Sequence, residues 1–215
     1  PRLPEELYDL ENDVHETVNL AGVAAHAKTV RKLRAALYDW MVSSRDLGLI
    51  PEPILEDMGR QHGNKYLVLQ HKDNRTLIRD ILDVIDTRQI DAQAKALGSR
   101  SPAVRYWAAT ALGVRGDKSH MNKLAPLSRD PSSGVRVATA LAMCRLGDKT
   151  YAGVLANEMT NENLLTGMYA IRALELTETA ARPHLEAIRA AKNSGYEFTR
   201  RIALRLSGKL TREQK

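Results

Sequence analysis

The sequence predicts an all-α protein, an α-solenoid of stacked helix pairs that follows a short strand-plus-helix segment. Three observations predict this fold class: a 31-residue internal repeat, helical segments bounded by Pro and Gly, and a composition poor in aromatic residues. Aromatic side chains make up 5% of the 215 residues, and hydrophobic residues make up 43%. A core built mainly from Ala and Leu favours closely packed helices over a β-sandwich.

The internal repeat is the main signal for a solenoid, because self-similarity at a fixed period marks stacked supersecondary units. The segment Val-Arg-x-x-x-Ala beginning at Val104 recurs at Val135, an offset of 31 residues. Three further matches keep the same offset without a gap. They place Gly116–Ser119 on Gly147–Thr150, Leu124-Ala125 on Leu155-Ala156, and Asp130-Pro131 on Asn161-Glu162.

Each unit is predicted to contain two helices. In the clearest unit, a first helix over residues 120–129 has apolar residues at helical spacing, and a turn follows at residues 130–134. Pro131 presets φ for a helix start, and Gly147 is placed to end the second helix. The preceding unit repeats this pattern, with Ser101 before Pro102 as N-cap and first turn.

Extending the period gives four units and a helix pair that precedes them. The predicted units are 87–117, 118–148, 149–177 and 178–208 within an array over residues 87–215, after a linking helix pair at residues 51–86. Terminal units are expected to be irregular, because their outer faces do not meet a further unit.

A helix, an Asp-Pro turn and then Val-Arg-x-x-Ala resembles the HEAT repeat in its short variety. In that family, the turn Asp and the Arg six positions later form a structural ladder between repeats. Asp130 and Arg136 match both ladder positions. Arg105 matches the Arg position but has Ser99 in place of the Asp, and Gly167 stands where the third unit would carry its Arg.

The first 50 residues follow a different pattern. We expect a short strand at residues 6–10, then turn-forming residues, then an amphipathic helix at residues 24–45. A lone strand beside one helix is not an independent domain, so its partner strands are expected outside this chain. The chain begins with Pro1 rather than Met, which also suggests a fragment of a longer protein.

This segment resembles the C-terminal end of sulfatases of the alkaline-phosphatase-like superfamily, whose last strand commonly reads Leu-Tyr-Asp-Leu-x-x-Asp-Pro-x-Glu-x-x-Asn-Leu. Val14 replaces the Pro of that pattern. The resemblance implies that residues 1–50 are a remnant of an α/β sulfatase domain, and that the parent enzyme uses calcium and a formylglycine and is periplasmic or secreted. The matching positions are Leu7, Tyr8, Asp9, Leu10, Asp13, Glu16, Asn19 and Leu20.

Catalytic chemistry is not predicted for this chain. The formylglycine of such sulfatases arises in Cys/Ser-x-Pro-x-Arg, whereas Cys144, the single cysteine, is followed by Arg-Leu-Gly-Asp. A buried, unreactive thiol is the favoured interpretation of Cys144. No His pair has metal-ligand spacing, and no nucleophile motif or phosphate-binding loop occurs. We therefore predict no catalytic, metal or cofactor residues here.

Two groups of residues are candidate binding surfaces. Tyr106 and Trp107 would either form a recognition surface or pack against the next unit. Arg200, Arg201 and Arg205 lie on successive turns of the last helix, within a stretch (181–215) that holds nine Lys/Arg and three Asp/Glu. Because aromatic residues do not interleave with these arginines, a protein partner is favoured over nucleic acid.

Two hypotheses for function remain open. In the first, the chain is the C-terminal HEAT-repeat region of a sulfatase-like protein, is not an enzyme by itself, and serves as a structural or protein-interaction module whose partner is a protein or the missing sulfatase domain. In the second, it is a free-standing scaffold for a protein partner, and the sulfatase-like segment is a coincidence or a remnant. No apolar run is long enough to span a membrane.

Overall fold

The computed structural model describes residues 5–212, apart from the side chain of Glu178. Twelve α-helices occur in this range, connected by turns and short 3₁₀ helices. They are α1 (Ala27–Ser43), α2 (Glu52–His62), α3 (Leu77–Asp86), α4 (Ile90–Ala96), α5 (Pro102–Arg115), α6 (Met121–Leu124), α7 (Ser133–Leu146), α8 (Ala152–Glu158), α9 (Leu164–Leu176), α10 (Glu178–Ala181), α11 (Leu185–Ala190) and α12 (Glu197–Arg212). None of the helices within residues 5–212 has the length and apolar character needed to cross a membrane.

The chain divides into two compact units, Pro1–Asp46 and Leu47–Lys215. The first unit contains α1, preceded by a 3₁₀ turn at Ala24–His26. None of its described residues is buried. Several large apolar side chains are exposed instead, and they include Leu33, Leu37 and Trp40 on α1.

The predicted strand at residues 6–10 does not form, and no strand occurs anywhere in residues 5–212. A strand needs a partner along its length to pair its backbone groups. The Leu20 amide donates to the Leu7 carbonyl at 2.7 Å. The Asn19 side chain also bonds to this segment, because its Oδ1 accepts from the Leu7 amide and its Nδ2 donates to the Glu5 carbonyl. The predicted strand of the strand-plus-helix remnant is therefore wrong, whereas a helix does follow it at Ala27–Ser43.

The second unit is a solenoid of helix pairs, so the α-solenoid prediction is confirmed. The longer second helices α5, α7, α9 and α12 pack against one another in that order. Shorter first helices accompany them: α4 packs on α5, α6 and its 3₁₀ extension on α7, α8 on α9, and α11 on α12. Helix α3 also packs on α5 and extends the series toward the N-terminus.

Local signals in the sequence account for the ends of these helices. Gly147 has a φ of 114°, a left-handed conformation that glycine adopts without steric cost, and it ends α7. Asp117 and Asp148 start the short helices that follow α5 and α7, because their side chains accept from the backbone amides of Ser119 and Thr150. Ser101 stands at the N-cap position of α5, but its side chain accepts no capping hydrogen bond.

Close approach of α5 and α7 depends on a glycine. A Cβ built on Gly113 would lie 2.7 Å from the Cα of Ala142, so the two backbones are nearly in contact. The fully buried side chains nearby are small or aliphatic, such as Ala108, Ala109 and Leu112. This arrangement explains how a chain with few aromatic residues fills its core.

Helix α2 does not join the stack as another pair. It packs against both α7 and α9, and we call it the crossing helix. Pro53, Ile54 and Met58 are its buried apolar residues. A Cβ on Gly134 of α7 would lie 2.8 Å from a side-chain carbon of Ile54, which shows how closely the crossing helix sits on α7.

Candidate functional site

The ladder between units begins with Arg105 on α5. Its Nε and Nη2 donate to the two carboxylate oxygens of Asp130, at 2.7 and 2.8 Å. Its Nη1 donates to the carbonyls of Ser99 and Arg100, at 2.9 and 3.0 Å. A single guanidinium therefore ties the turn of its own unit to the turn of the next, in the bidentate geometry that Arg and a carboxylate favour.

Arg136 on α7 repeats this arrangement with a different acid. Its Nη1 donates to the Asp130 carbonyl at 2.8 Å, while Nε and Nη2 donate to the carboxylate of Glu158 at 2.5 and 3.0 Å. Glu158 is buried, and its Oε2 also accepts from the Nδ2 of Asn161 at 2.9 Å. Asp130 and Arg136 thus belong to two successive arginine–carboxylate pairs of the ladder, each of which we call a rung. The two rungs are linked because Arg136 donates to the backbone carbonyl of Asp130.

Glu158 is a ladder residue that sequence reasoning missed. Asn161 occupies the position of the turn Asp, and the acid has moved to the end of the preceding helix. The sequence feature that could have indicated this is the spacing of Glu158 and Asn161. A Glu three residues before the turn position lies close enough for both side chains to meet at the same turn.

Gly167 interrupts the ladder for a steric reason. A Cβ on Gly167 would lie 2.8 Å from the carbonyl oxygen of Met159, so any side chain would force α9 away from the end of α8. The third unit is held instead by Asn163, whose Nδ2 donates to the Pro53 carbonyl at 2.9 Å and to Oδ1 of Asp57 at 3.0 Å. The crossing helix therefore supports α9 at the point where the ladder lacks an arginine.

Tyr106 and Trp107 lie on α5, with their rings edge to face at a centroid distance of 5.7 Å. The Nε1 of Trp107 donates to the Leu49 carbonyl at 2.7 Å, so the segment that leads into the crossing helix already satisfies the indole. Burial raises the pKa of the Tyr106 hydroxyl well above its ordinary value. Both side chains are half-buried, and the contacts described here lie within the second unit.

The three arginines of the last helix have different surroundings. Arg205 donates to both carboxylate oxygens of Glu175 on α9, at 2.6 and 2.9 Å. Arg201 pairs with Glu197 one turn earlier at 2.5 Å and lies over the ring of Phe198. Arg200 donates through Nη1 to the Ser194 carbonyl at 2.8 Å. Two of these three positive charges are therefore balanced locally, and the structure does not combine the arginines with Tyr106 and Trp107 into one surface.

A groove of about 900 Å³ lies beside the crossing helix. His62 and His71 line it, with ring centroids 4.7 Å apart, and Arg100 and Pro131 belong to the repeat turns opposite. Within residues 5–212, no three His, Cys, Asp or Glu side chains come together as a metal site.

Cys144 is buried on α7. Burial, followed by the nearby Asp148 carboxylate, raises the pKa of its thiol from 9.0 to about 11. The thiolate that would act as a nucleophile is therefore scarce near neutral pH.

A comparison with known families matches part of the chain. A family model described as HEAT repeats matches residues 90–162, a range that begins at α4 and ends between α8 and α9. No curated protein matches the chain. The matched range contains the Arg105–Asp130 and Arg136–Glu158 rungs. Residues 90–162 are therefore similar to HEAT repeats in sequence, and their helix pairs stack as such repeats do.

Proposed function

We propose that this chain is the C-terminal HEAT-repeat region of a sulfatase-like protein and acts as a non-catalytic structural or protein-interaction module. HEAT repeats support the module role, because stacked helix pairs form extended surfaces suited to proteins. One observation supports the link to a larger domain: none of the described residues of Pro1–Asp46 is buried.

The first unit leaves several large apolar side chains exposed. Trp40 is 60% exposed, and Leu33 and Leu37 are about half exposed on the same helix. Contiguous exposed apolar side chains mark surfaces that associate with other protein. In the proposal, the α1 stripe formed by Leu33, Leu37 and Trp40 packs on the catalytic domain of the parent protein.

The sulfatase-like motif has a loop-fixing role that fits this proposal. Asp9 accepts from the Glu11 amide and from the Asn12 side chain, and Asp13 accepts from Thr17 and Val18. These bonds hold the pKa of both carboxyls below the ordinary value, with the Asn12 side chain as the largest cause for Asp9 and the Thr17 amide for Asp13. In the proposal, the role of these polar motif positions is to shape the loop.

The test of non-catalysis is an assay of the purified chain with an aryl sulfate in the presence of calcium. We expect no turnover above buffer. Turnover that copurifies with the chain would contradict the proposal. The parentage has its own test, because the coding sequence upstream of Pro1 should contain Cys/Ser-x-Pro-x-Arg. A start codon close to Pro1, with no such motif, would reject it.

The docking of the α1 stripe is measurable by fluorescence. A Trp107→Phe variant leaves Trp40 as the single tryptophan. In the chain alone, iodide should quench Trp40 strongly, and in the parent protein, with every tryptophan of its catalytic domain replaced by Phe, the quenching should fall several-fold. Equal quenching in both proteins would show that α1 does not pack on the catalytic domain. The matched control is Trp40→Phe, in which Trp107 is the tryptophan of this chain that fluoresces and its quenching should be the same in both proteins.

A second function is favoured by the core of the second unit. Residues 47–212 bury apolar side chains along the whole array, from Ile50 to Leu210. A free-standing scaffold for a protein partner is therefore the alternative. It predicts that a chain beginning near Leu47 folds alone and binds the same protein partner as the full chain.

A further inference from the structure

The fourth residue of each second helix is the ladder position. It is Arg105 in α5, Arg136 in α7, Gly167 in α9 and Arg200 in α12. Each of the three arginines donates through Nη1 to the carbonyl of the residue six positions earlier. Arg200 is therefore the ladder arginine of the last described unit, although the intervals in sequence no longer equal 31 there.

Arg200 has half of the ladder contacts. In α5 and α7, the Nε–Nη2 edge of the arginine binds a carboxylate of the following unit. Within residues 5–212, the same edge of Arg200 has no acidic partner. Arg200 is exposed. Among the described residues, Arg200 therefore has the ladder geometry of Arg105 and Arg136 without the carboxylate that each of them binds.

The apolar positions of α12 show the same incompleteness. Ala109, Ala140 and Ile171, each at the eighth position of its helix, are fully buried, whereas Leu204 at that position is 64% exposed. At the twelfth position, a Cβ on Gly113 would touch Ala142 of the next helix, whereas a Cβ on Gly208 would meet no atom of a neighbouring element described in the structure within 4 Å. The outer face of α12 therefore has the positions that receive a following unit.

We propose that this outer face, formed by Arg200, Leu204 and Gly208, binds a helix pair of a partner protein that carries Asp or Glu at the turn between its helices. The carboxylate binds the Nε–Nη2 edge of Arg200, and the second helix packs over Leu204 and Gly208. This inference rests on the proposed interaction role of the array and names the kind of partner.

Charge also favours an acidic partner. A groove of about 330 Å³ beside Leu204 and Gly208 is lined by Arg189, Lys192 and Arg212. Complementary charge speeds association and suppresses wrong partners.

A second copy of this chain fits this face poorly. Two copies meeting through α12 would oppose these cations to each other.

The test supplies a known acidic helix pair in cis to the full chain. A second copy of residues 118–148, which carries its own Asp130, is attached after Lys215 through a flexible Gly/Ser linker. Attachment gives a local concentration in the millimolar range, so weak docking becomes measurable. Leu204→Cys provides the probe, and the reaction of its thiol with a maleimide is compared with and without the added pair. Cys144 stays unreactive because its thiol is buried with a pKa of about 11.

We expect the added pair to slow the reaction of the introduced thiol by about tenfold or more. Arg200→Glu should remove this protection, and Arg200→Glu combined with Asp130→Arg in the added copy should restore it. Arg201→Glu makes the same charge change one residue away and should keep the protection. The helix content of each variant is checked by circular dichroism, which should match that of the unsubstituted protein.

Two results would overturn the inference. One is an equal reaction rate with and without the added pair, or protection that Arg200→Glu leaves unchanged. The other is sedimentation of the unextended chain as a dimer that Leu204→Glu dissociates, since a second copy would then occupy the face. Neither result depends on the aryl sulfate assay or on the upstream coding sequence, so the proposed function is tested separately.

Discussion

Arg105 binds the carboxylate of Asp130 through two parallel hydrogen bonds, and both side chains are largely buried. Removing one charge of such a pair leaves the other without compensation in a poorly solvated place. We therefore expect Asp130→Asn to lower the free energy of unfolding by about 3 kcal/mol. Urea denaturation followed by circular dichroism measures this loss.

The control for the ladder variant is Arg201→Gln. Arg201 and Glu197 form an exposed pair one helical turn apart, so their separation should cost less than about 0.5 kcal/mol. If Asp130→Asn costs no more than this control, the ladder contributes no special stability and the array depends on its apolar contacts alone.

Two glycines at the same helix position should respond to alanine in opposite directions. Gly113→Ala places a methyl group 2.7 Å from the Ala142 Cα, which forces α5 and α7 apart and should destabilise the protein by about 1–3 kcal/mol. Gly208→Ala meets no atom within 4 Å and should stabilise α12 by about 0.5–1 kcal/mol, because glycine is a poor helix former. Thermal unfolding of both variants distinguishes the two outcomes. Equal effects would contradict the difference in packing at these two positions within the described residues.

Acid should weaken the link between α9 and α12. Hydrogen bonding to Arg205, the largest cause, and to Arg172 holds the pKa of Glu175 below its ordinary value of 4.5. A lowered pKa in the folded state means that Glu175 stabilises the fold fully above pH 4.5 and loses this contribution as the pH falls through the lowered pKa. The difference in free energy of unfolding between the wild type and Glu175→Gln should therefore be largest at about pH 7.

The measurement for Glu175 is a series of urea titrations between about pH 7 and pH 3. Because other carboxyls also titrate, the quantity to follow is the difference between the two proteins rather than either stability alone. A difference that stays constant across this range would show that Glu175 has an ordinary pKa. Asp73→Asn changes an exposed carboxylate and serves as the control.

The hydrogen bond from Trp107 to the Leu49 carbonyl fixes the chain that leads into the crossing helix. Trp107→Phe keeps the aromatic ring and removes the donor, which should cost about 1 kcal/mol. Limited proteolysis between Arg45 and Pro51 should then be faster than in the wild type. Trp40→Phe removes an exposed indole and should leave the cleavage rate unchanged.

The repeat could be predicted from the sequence because its signals are local. Pro131 and Gly147 determine where helices start and end through their own backbone preferences, so a 31-residue period is enough to place the helix pairs. The prediction of an N-terminal strand was wrong because strand formation is not determined locally. A strand depends on partners elsewhere in space, and residues 6–10 bond instead to Leu20 and the Asn19 side chain.

The candidate site was less predictable, because its contacts join distant units. Glu158 takes the acidic role three residues before the position where the pattern places it. The role of Arg200 emerges from its bond to Ser194, since the spacing of the last unit has changed. The crossing helix carries no repeat signal at all, and its position depends on the shape of α7 and α9.

The bond from Asn163 to Pro53 joins residues 110 positions apart. In an ordinary solenoid each unit contacts its immediate neighbours, so folding can start anywhere and ends can fray one unit at a time. The contacts of the crossing helix join residues that are far apart in the sequence, whereas the other contacts of the array are mostly local. They therefore raise the contact order, which slows folding. The same contacts also couple the loss of the third unit to the release of the crossing helix itself, so these parts of the array should melt in a single cooperative step.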